Sequence, residues 1–395
     1  MKFIKYFSLL LLLILMSCKN DSKLISELES IHAIIKSEFA PDKRVELFDI
    51  NFELADNQLI LEGETTSKRA FLILLDSLNN RKLQFTNNVR VLPDAAVGDL
   101  QFAVAKNSVI NIRSEPKHSA ELGTQGLLGM SLKVLDQKGD FYRIQTPDMY
   151  ISWVDRGGIQ LLNKAEMDTW NQAKKVLFTK NFGYVFADKK DEATIISDVT
   201  LGGILEYISE DDTFYEVKYP DNRTGFIKKE EAVIYDSWLE NVVSSKENIE
   251  AVAKNFEGFP YLWGGTSSKG MDCSGFTKMV YLLNGLVIPR DASQQINAGK
   301  TVDATLKFEG LEKGDLLFFG TKATSETKQR VVHVAIWLGN DKMEFIHSSG
   351  NVHLSSMDAS QPNYDKFNKN RYLGSKRYLG AKDAMIIDLK EKMKL

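Results

Sequence analysis

The stretch YLWGGTSSKGMDCSGF, from Tyr261 to Phe276, decides how this chain is read. Glycines at 264, 265 and 270 let the backbone approach closely, and Asp272, Cys273 and Ser274 open the helix-spaced segment DCSGFTKMVYLLNGL, with Phe276, Met279 and Val280 on its apolar face. A cysteine in the first turn of a helix meets exposed N–H groups and the positive end of the macrodipole, which favour a thiolate. The chain has only two cysteines, so the meaning of Cys273 depends on the other one.

That other cysteine closes MKFIKYFSLLLLLILMSC, in which Lys2 and Lys5 precede an apolar run ending at Met16. The run is shorter than the roughly 20 apolar residues of a mature membrane span, and residues 1–17 read as a secretory signal peptide. Leu15-Met16-Ser17-Cys18 resembles a bacterial lipobox, in which the cysteine is lipidated and becomes the first mature residue. The expectation is an exported lipoprotein, anchored to a membrane through Cys18 and facing the periplasm or cell envelope. Cys273 is then a lone thiol in a disulfide-forming compartment: a buried core residue, an intermolecular link, or a nucleophile.

With 50 basic and 53 acidic residues the net charge is -3. There is no basic excess of the kind that nucleic-acid binding requires. The length suits about two to four domains. Residues 18–97 are expected to form a small α+β domain in the order α-β-β-α-β. KLISELESIHAIIKSE is its first helix, RVELFDINFEL and NQLILEGET are strands about the turn Ala55-Asp56-Asn57, SKRAFLILLDSLNN is the second helix and LQFTNNVRVLP a strand. The order weakly resembles the BON fold, and His32 is expected on the helix surface.

An internal repeat follows. LLGMSLKVLDQKGDFYRIQTPDMYISWV (127–154) overlies TLGGILEYISEDDTFYEVKYPDNRTGFI (200–227) without a gap: Gly129 on Gly202, Phe141-Tyr142 on Phe214-Tyr215, Trp153 on Phe226. Short alternating segments at these intervals predict two small β-barrels, at 98–163 and 170–237, which resemble bacterial SH3 domains. The copies differ where Tyr150 is replaced by Arg223 and Glu121 by Thr194. From 246 to 384 a helical stretch, the Cys273 helix and the strands DLLFFG, VVHVAIWLG and EFIHSSG predict a papain-like α+β catalytic domain.

A thiol nucleophile needs a base, and three histidines follow Cys273: His333, His347 and His353. His333 shares strand parity with Ala335 and Trp337, and His347 with Phe345, so adjacent strands can bring both imidazoles to one face, the helix carrying Cys273 packed there. His333 is placed to take the thiol proton and return it to the leaving amine, with His347 orienting it. His353, beyond the Gly350-Asn351 turn, is expected at the surface. No metal or other cofactor is implied, because the histidines lack carboxylate or thiol companions at ligand spacing.

The blocks PYLWGG, DCSGF, PRDASQQ, KGDLLFF, HVAIWLG, HSSG and RYLGSKRYLG resemble the NlpC/P60 family of cell-wall cysteine peptidases. The resemblance implies a triad of Cys273, His333 and His347, with Tyr261 beside the nucleophile to help polarise the scissile carbonyl. Tandem SH3 domains ahead of the catalytic domain look like the γ-D-glutamyl-L-diamino acid endopeptidases of the dipeptidyl-peptidase VI type. These cut L-Ala-γ-D-Glu from the diamino acid of murein peptides and require a free amino terminus. The resemblance places recognition of that amine on Glu121, Tyr150 and Asp272, with Trp263 and Ser274 as further substrate contacts. Where relatives often carry Ser after PRD, this chain has Ala292. Two other readings are open at this point: a D,L-endopeptidase acting on intact peptidoglycan, and a non-catalytic wall-binding lipoprotein.

Overall fold

The structure, a computed structural model, describes residues 2–55, 58–190 and 193–392, with backbone alone over 2–20 and at 392. The Cys18 side chain and Asp56-Asn57 of the first turn lie outside the described residues. The chain divides into two compact units, residues 1–98 and 99–395.

In the first unit a helix, Lys2–Phe39, and a second, Lys68–Asn80, accompany a three-stranded sheet. Phe48–Ala55 pairs antiparallel with Gln58–Thr65, which pairs parallel with Phe85–Val91. Alternation along the strands puts Phe48, Ile50, Leu59 and Leu61 on one face, where Leu28, Ile35, Phe71, Leu74 and Leu78 cover them. His32 is not a surface residue as its helical position suggested. It is half-buried, stacks on Phe48 at 4.9 Å between ring centroids and lies 3.1 Å from the Phe48 carbonyl.

The second unit holds two seven-stranded barrels and a six-stranded sheet. Strands of the first barrel begin at 102, 109, 122, 131, 141, 151 and 159; those of the second begin at 175, 182, 195, 204, 214, 224 and 232. The spacing is the same throughout, so the repeat extends across every strand. Between them Lys164–Gln172 is a helix closed by a reciprocal Asn163–Glu166 capping box, with Met167 and Trp170 packed on Val104 and Leu162 of the first barrel.

The six-stranded sheet is antiparallel, in the order Lys300–Thr301, Tyr372–Arg377, Leu316–Thr321, Arg330–Trp337, Glu344–Ser349, Asn351–Ser356. Alternation divides its side chains between two cores. Leu316, Phe318, Val334, Ile336 and Ile346 meet the helix Cys273–Leu282 through Phe276, Met279 and Val280. Leu317, Phe319, Ala335, Trp337 and Phe345 form the other core with Met357 and Tyr372. The helix therefore packs on the face opposite the one predicted from histidine parity. The reason is that Val334, Ile336 and Ile346 supply the larger aliphatic surface, which a helix with an apolar face must cover.

A polar seam joins the first barrel to the catalytic sheet. Gly264, at φ +77°, lies so close to strand Leu122–Leu127 that a Cβ would run into the Leu122 carbonyl. Beside it the Gln125 N–H donates to Thr266 Oγ1 (2.8 Å), and the Thr266 N–H donates to Gln125 Oε1 (3.0 Å). Lys278 of the Cys273 helix pairs with Asp148 of the barrel at 2.6 Å, their side chains 10% and 2% exposed. Such a pair costs desolvation and holds geometry rather than adding much net stability.

Candidate active site

The site is built where the Cys273 helix starts. Asp272 caps it, accepting from the Gly275 N–H at 2.7 Å, and Gly275 is required because a Cβ there would meet the Gly265 carbonyl. Cys273 is buried, and its sulfur lies against the backbone N–H groups of Ser274 and Val334, the residue after His333. The thiol thus meets the histidine strand at its backbone.

His333 and His347 meet on the face away from the helix. His333 Nε2 lies 2.7 Å from His347 Nδ1, with ring centroids 5.0 Å apart. A register shift opposite His333, between Phe319 and Gly320, adjusts the strand where the imidazole is presented. Tyr261 is half-buried, tied by its N–H to the Gly350 carbonyl at 3.0 Å, and within electrostatic reach of Cys273 and Asp272.

Of the residues proposed to hold an amine, Glu121 and Trp263 come together: the indole N–H donates to Glu121 Oε1 at 2.6 Å, across the barrel–sheet boundary. Tyr150 reaches over Gly123 of the strand that follows Glu121, its hydroxyl 3.2 Å from where a Cβ would stand. Asp272 does not join them as an amine acceptor. Its carboxylate takes hydrogen bonds from Gly264 N (3.0 Å), Gly275 N, Ser274 Oγ (3.2 Å) and two guanidinium nitrogens of Arg290 (3.1 and 2.6 Å). An ionised carboxylate offers about four lone-pair sites, so none is left for an ammonium group. The Ser274 hydroxyl is likewise turned inward, accepting from Arg290 at 2.9 Å.

Three participants escaped the sequence reading. Arg290 stood in plain view in PRDASQQ, but only the packed barrel shows that it is 1% exposed and donates to Thr124 Oγ1 at 2.9 Å. Arg371 stacks over Phe367 at 4.2 Å, donates to Asn368 at 2.9 Å, and its charge acts on Cys273, His333 and His347. His353 is half-buried rather than on the surface, because the tight turn at Gly350 pairs it directly with His347.

Electrostatics set the resting protonation. Burial pushes the Cys273 thiol up to about 12, Asp272 adds to this, and the Val334 N–H and Arg290 oppose it only in part. Burial holds His333 well below the ordinary imidazole range, with His347, Arg371 and His353 adding to the effect. Burial and then His353 lower His347 to about 3. Desolvation thus opposes the helix terminus at the thiol, and burial favours the neutral thiol beside neutral imidazoles. In this state the proton leaves the sulfur only as the sulfur attacks, which is general-base chemistry.

The sign of the resulting pH dependence is fixed. A thiol held high yields thiolate only as pH rises, so alkylation of Cys273 by iodoacetamide is expected to climb steadily from about pH 6 to about pH 9. A rate already level from about pH 5 upward shows instead a thiolate–imidazolium pair and contradicts this account.

Both the barrel and the catalytic domain resemble known proteins. The NlpC/P60 family model matches residues 258–371, and the model of the bacterial dipeptidyl-peptidase SH3 domain matches residues 112–159. Over 268 residues the chain is 32% identical to the gamma-D-glutamyl-L-lysine dipeptidyl-peptidase of Bacillus cereus, covering 66% of this chain and 76% of that relative. Dipeptidyl-peptidase 6 of Lysinibacillus sphaericus is 29% identical over 278 residues, 66% of this chain and 94% of its own. The crystal structure of an NlpC/P60 family protein from Bacillus cereus aligns with a TM-score of 0.59 at 27% identity, covering 70% of this chain and 99% of that one. The chain belongs to the NlpC/P60 family and is a cysteine peptidase with a bacterial SH3 domain ahead of its catalytic domain.

Proposed function

We propose that this peptidase hydrolyses the bond between γ-D-glutamate and the L-diamino acid in murein peptides that carry a free N-terminal L-Ala. The observation that carries the reading is the Glu121–Trp263 contact, which brings a barrel carboxylate to the loop that leads into the Cys273 helix. An exposed acid held by an indole suits an ammonium group, and a barrel wall beside it would block a stem still joined to sugar. With Asp272 committed to Arg290, recognition of the amine falls to Glu121 and Tyr150.

In this reading Cys273 attacks the γ-carbonyl as His333 takes its proton. The Tyr261 hydroxyl, held protonated by burial with the negative Asp272 adding to it, donates to the oxyanion together with nearby backbone N–H groups. The imidazolium then protonates the departing diamino acid, leaving a thioester that water cleaves.

The test is cleavage of L-Ala-γ-D-Glu-diaminopimelate beside its N-acetylated form and beside purified sacculi. Only the free-amine peptide is expected to be cut. Glu121→Gln is expected to raise its KM by about 10- to 100-fold, the worth of one hydrogen bond to a charged group. Equal cleavage of the acetylated peptide, or of sacculi, contradicts the amine requirement.

We further propose that Cys18 carries a lipid anchor, on the strength of the Leu15–Cys18 segment. Expressed with its leader, the wild-type protein is then expected in the detergent phase on cloud-point partitioning, and Cys18→Ser in the aqueous phase. The same partition for both contradicts the anchor.

A further inference from the structure

The hairpin about Gly350 places His353 directly across from His347, which itself meets His333. His347 Nε2 lies 3.1 Å from His353 Nε2 and 3.1 Å from Ser355 Oγ. At the far end, His353 Nδ1 lies 3.0 Å from the backbone carbonyl of Asn351 and 3.1 Å from its side-chain oxygen. Three imidazoles are thus joined in series, and the last is tied to a group whose polarity cannot change.

The protons follow from that fixed end. A backbone carbonyl only accepts, so His353 Nδ1 carries its proton. A neutral imidazole has one N–H and one bare nitrogen, which leaves His353 Nε2 as an acceptor. His347 Nε2 must then donate to it, and His347 Nδ1 is bare. His333 Nε2 in turn carries the proton shared at 2.7 Å, and His333 Nδ1 is left with a free lone pair. Ser355 does not decide the matter, because its hydroxyl turns to suit either polarity. Burial, which keeps His333 and His347 neutral, agrees with this chain of single protons.

We propose that His353 is a positioning residue. Anchored on the Asn351 carbonyl, it fixes the tautomers of His347 and His333 so that His333 Nδ1 is left bare to act as a base. The proposal rests on the reading of Cys273 and His333 as the reacting pair. It goes beyond a three-member arrangement, since His347 alone, with an acceptor and a donor nitrogen, can orient His333 in either polarity. A donor in place of His353 reverses the series: His347 becomes Nδ1–H, His333 becomes Nδ1–H, and the base is lost.

Two measurements test this. In long-range 1H–15N spectra of the histidine-labelled protein near about pH 8, with resonances assigned through single variants, the expected pattern is Nδ1–H at His353 and Nε2–H at both His347 and His333. Nδ1–H at His347 overturns the proposal. This readout uses no substrate, so it decides the tautomers even where no peptide is turned over, an outcome that sinks only the peptidase substrate reading. For turnover, His353→Gln presents an oxygen acceptor to His347, whereas His353→Lys presents only donors. The lysine variant is expected to lose at least about 100-fold in kcat with KM within a few-fold of wild type, and the glutamine variant to stay within about tenfold of wild type. Equal losses in the two variants, or none with lysine, overturn the positioning role.

Discussion

The buried pair of Arg290 and Asp272 is the interaction on which the rest of the site depends. Arg290 is 1% exposed and donates to both carboxylate oxygens of Asp272, to Ser274 Oγ and to Thr124 of the first barrel. Asp272 in turn caps the Cys273 helix and holds the Gly264 N–H at the foot of the loop that carries Trp263. One ion pair therefore fixes the start of the helix, the loop beside it and the barrel strand across the seam. Breaking such a pair leaves a charge buried without a partner, at a cost of about 3–5 kcal/mol. Its two charges also act in opposite senses on the thiol, Asp272 raising its pKa and Arg290 lowering it. Burial is left to decide the protonation of Cys273.

The barrel is consequently held against the start of the Cys273 helix. Glu121 lies more than a hundred residues before Cys273, yet the Gln125–Thr266 exchange and the Lys278–Asp148 pair hold its strand against the catalytic domain. A fully satisfied polar network of this kind rigidifies an interface and specifies one arrangement of it. In the proposed reading specificity and chemistry are divided between segments distant in sequence, with recognition on two positions, Glu121 and Tyr150, at which the barrels differ while sharing every strand.

The sequence carried the parts of this account that depend on period and motif. Strand alternation brought His333 and His347 into one reading, and the repeat named both barrels before any contact was known. What it lacked was burial. Parity placed the two imidazoles together but not the helix, whose side was chosen by the aliphatic residues of the alternate face. Asp272 beside Cys273 looks like a substrate acid until Arg290, eighteen residues on, is seen to consume its lone pairs. The dipole argument for a thiolate was sound in sign and too small against desolvation. His353 was legible: a turn centred on Gly350 puts residues 347 and 353 opposite each other, and only the habit of assigning residues beyond a turn to the surface hid it.

The central claim is that the first barrel presents an acid to the amine of a peptide whose γ-glutamyl carbonyl lies at Cys273. The most direct test is a crystal structure of the Cys273→Ala protein with L-Ala-γ-D-Glu-diaminopimelate bound. The account predicts the L-Ala ammonium within hydrogen-bonding distance of the Glu121 carboxylate and the γ-carbonyl against the start of the helix, with Asp272 still paired to Arg290. A peptide whose amine points away from the barrel, or one that draws Asp272 off Arg290 to meet it, contradicts the account.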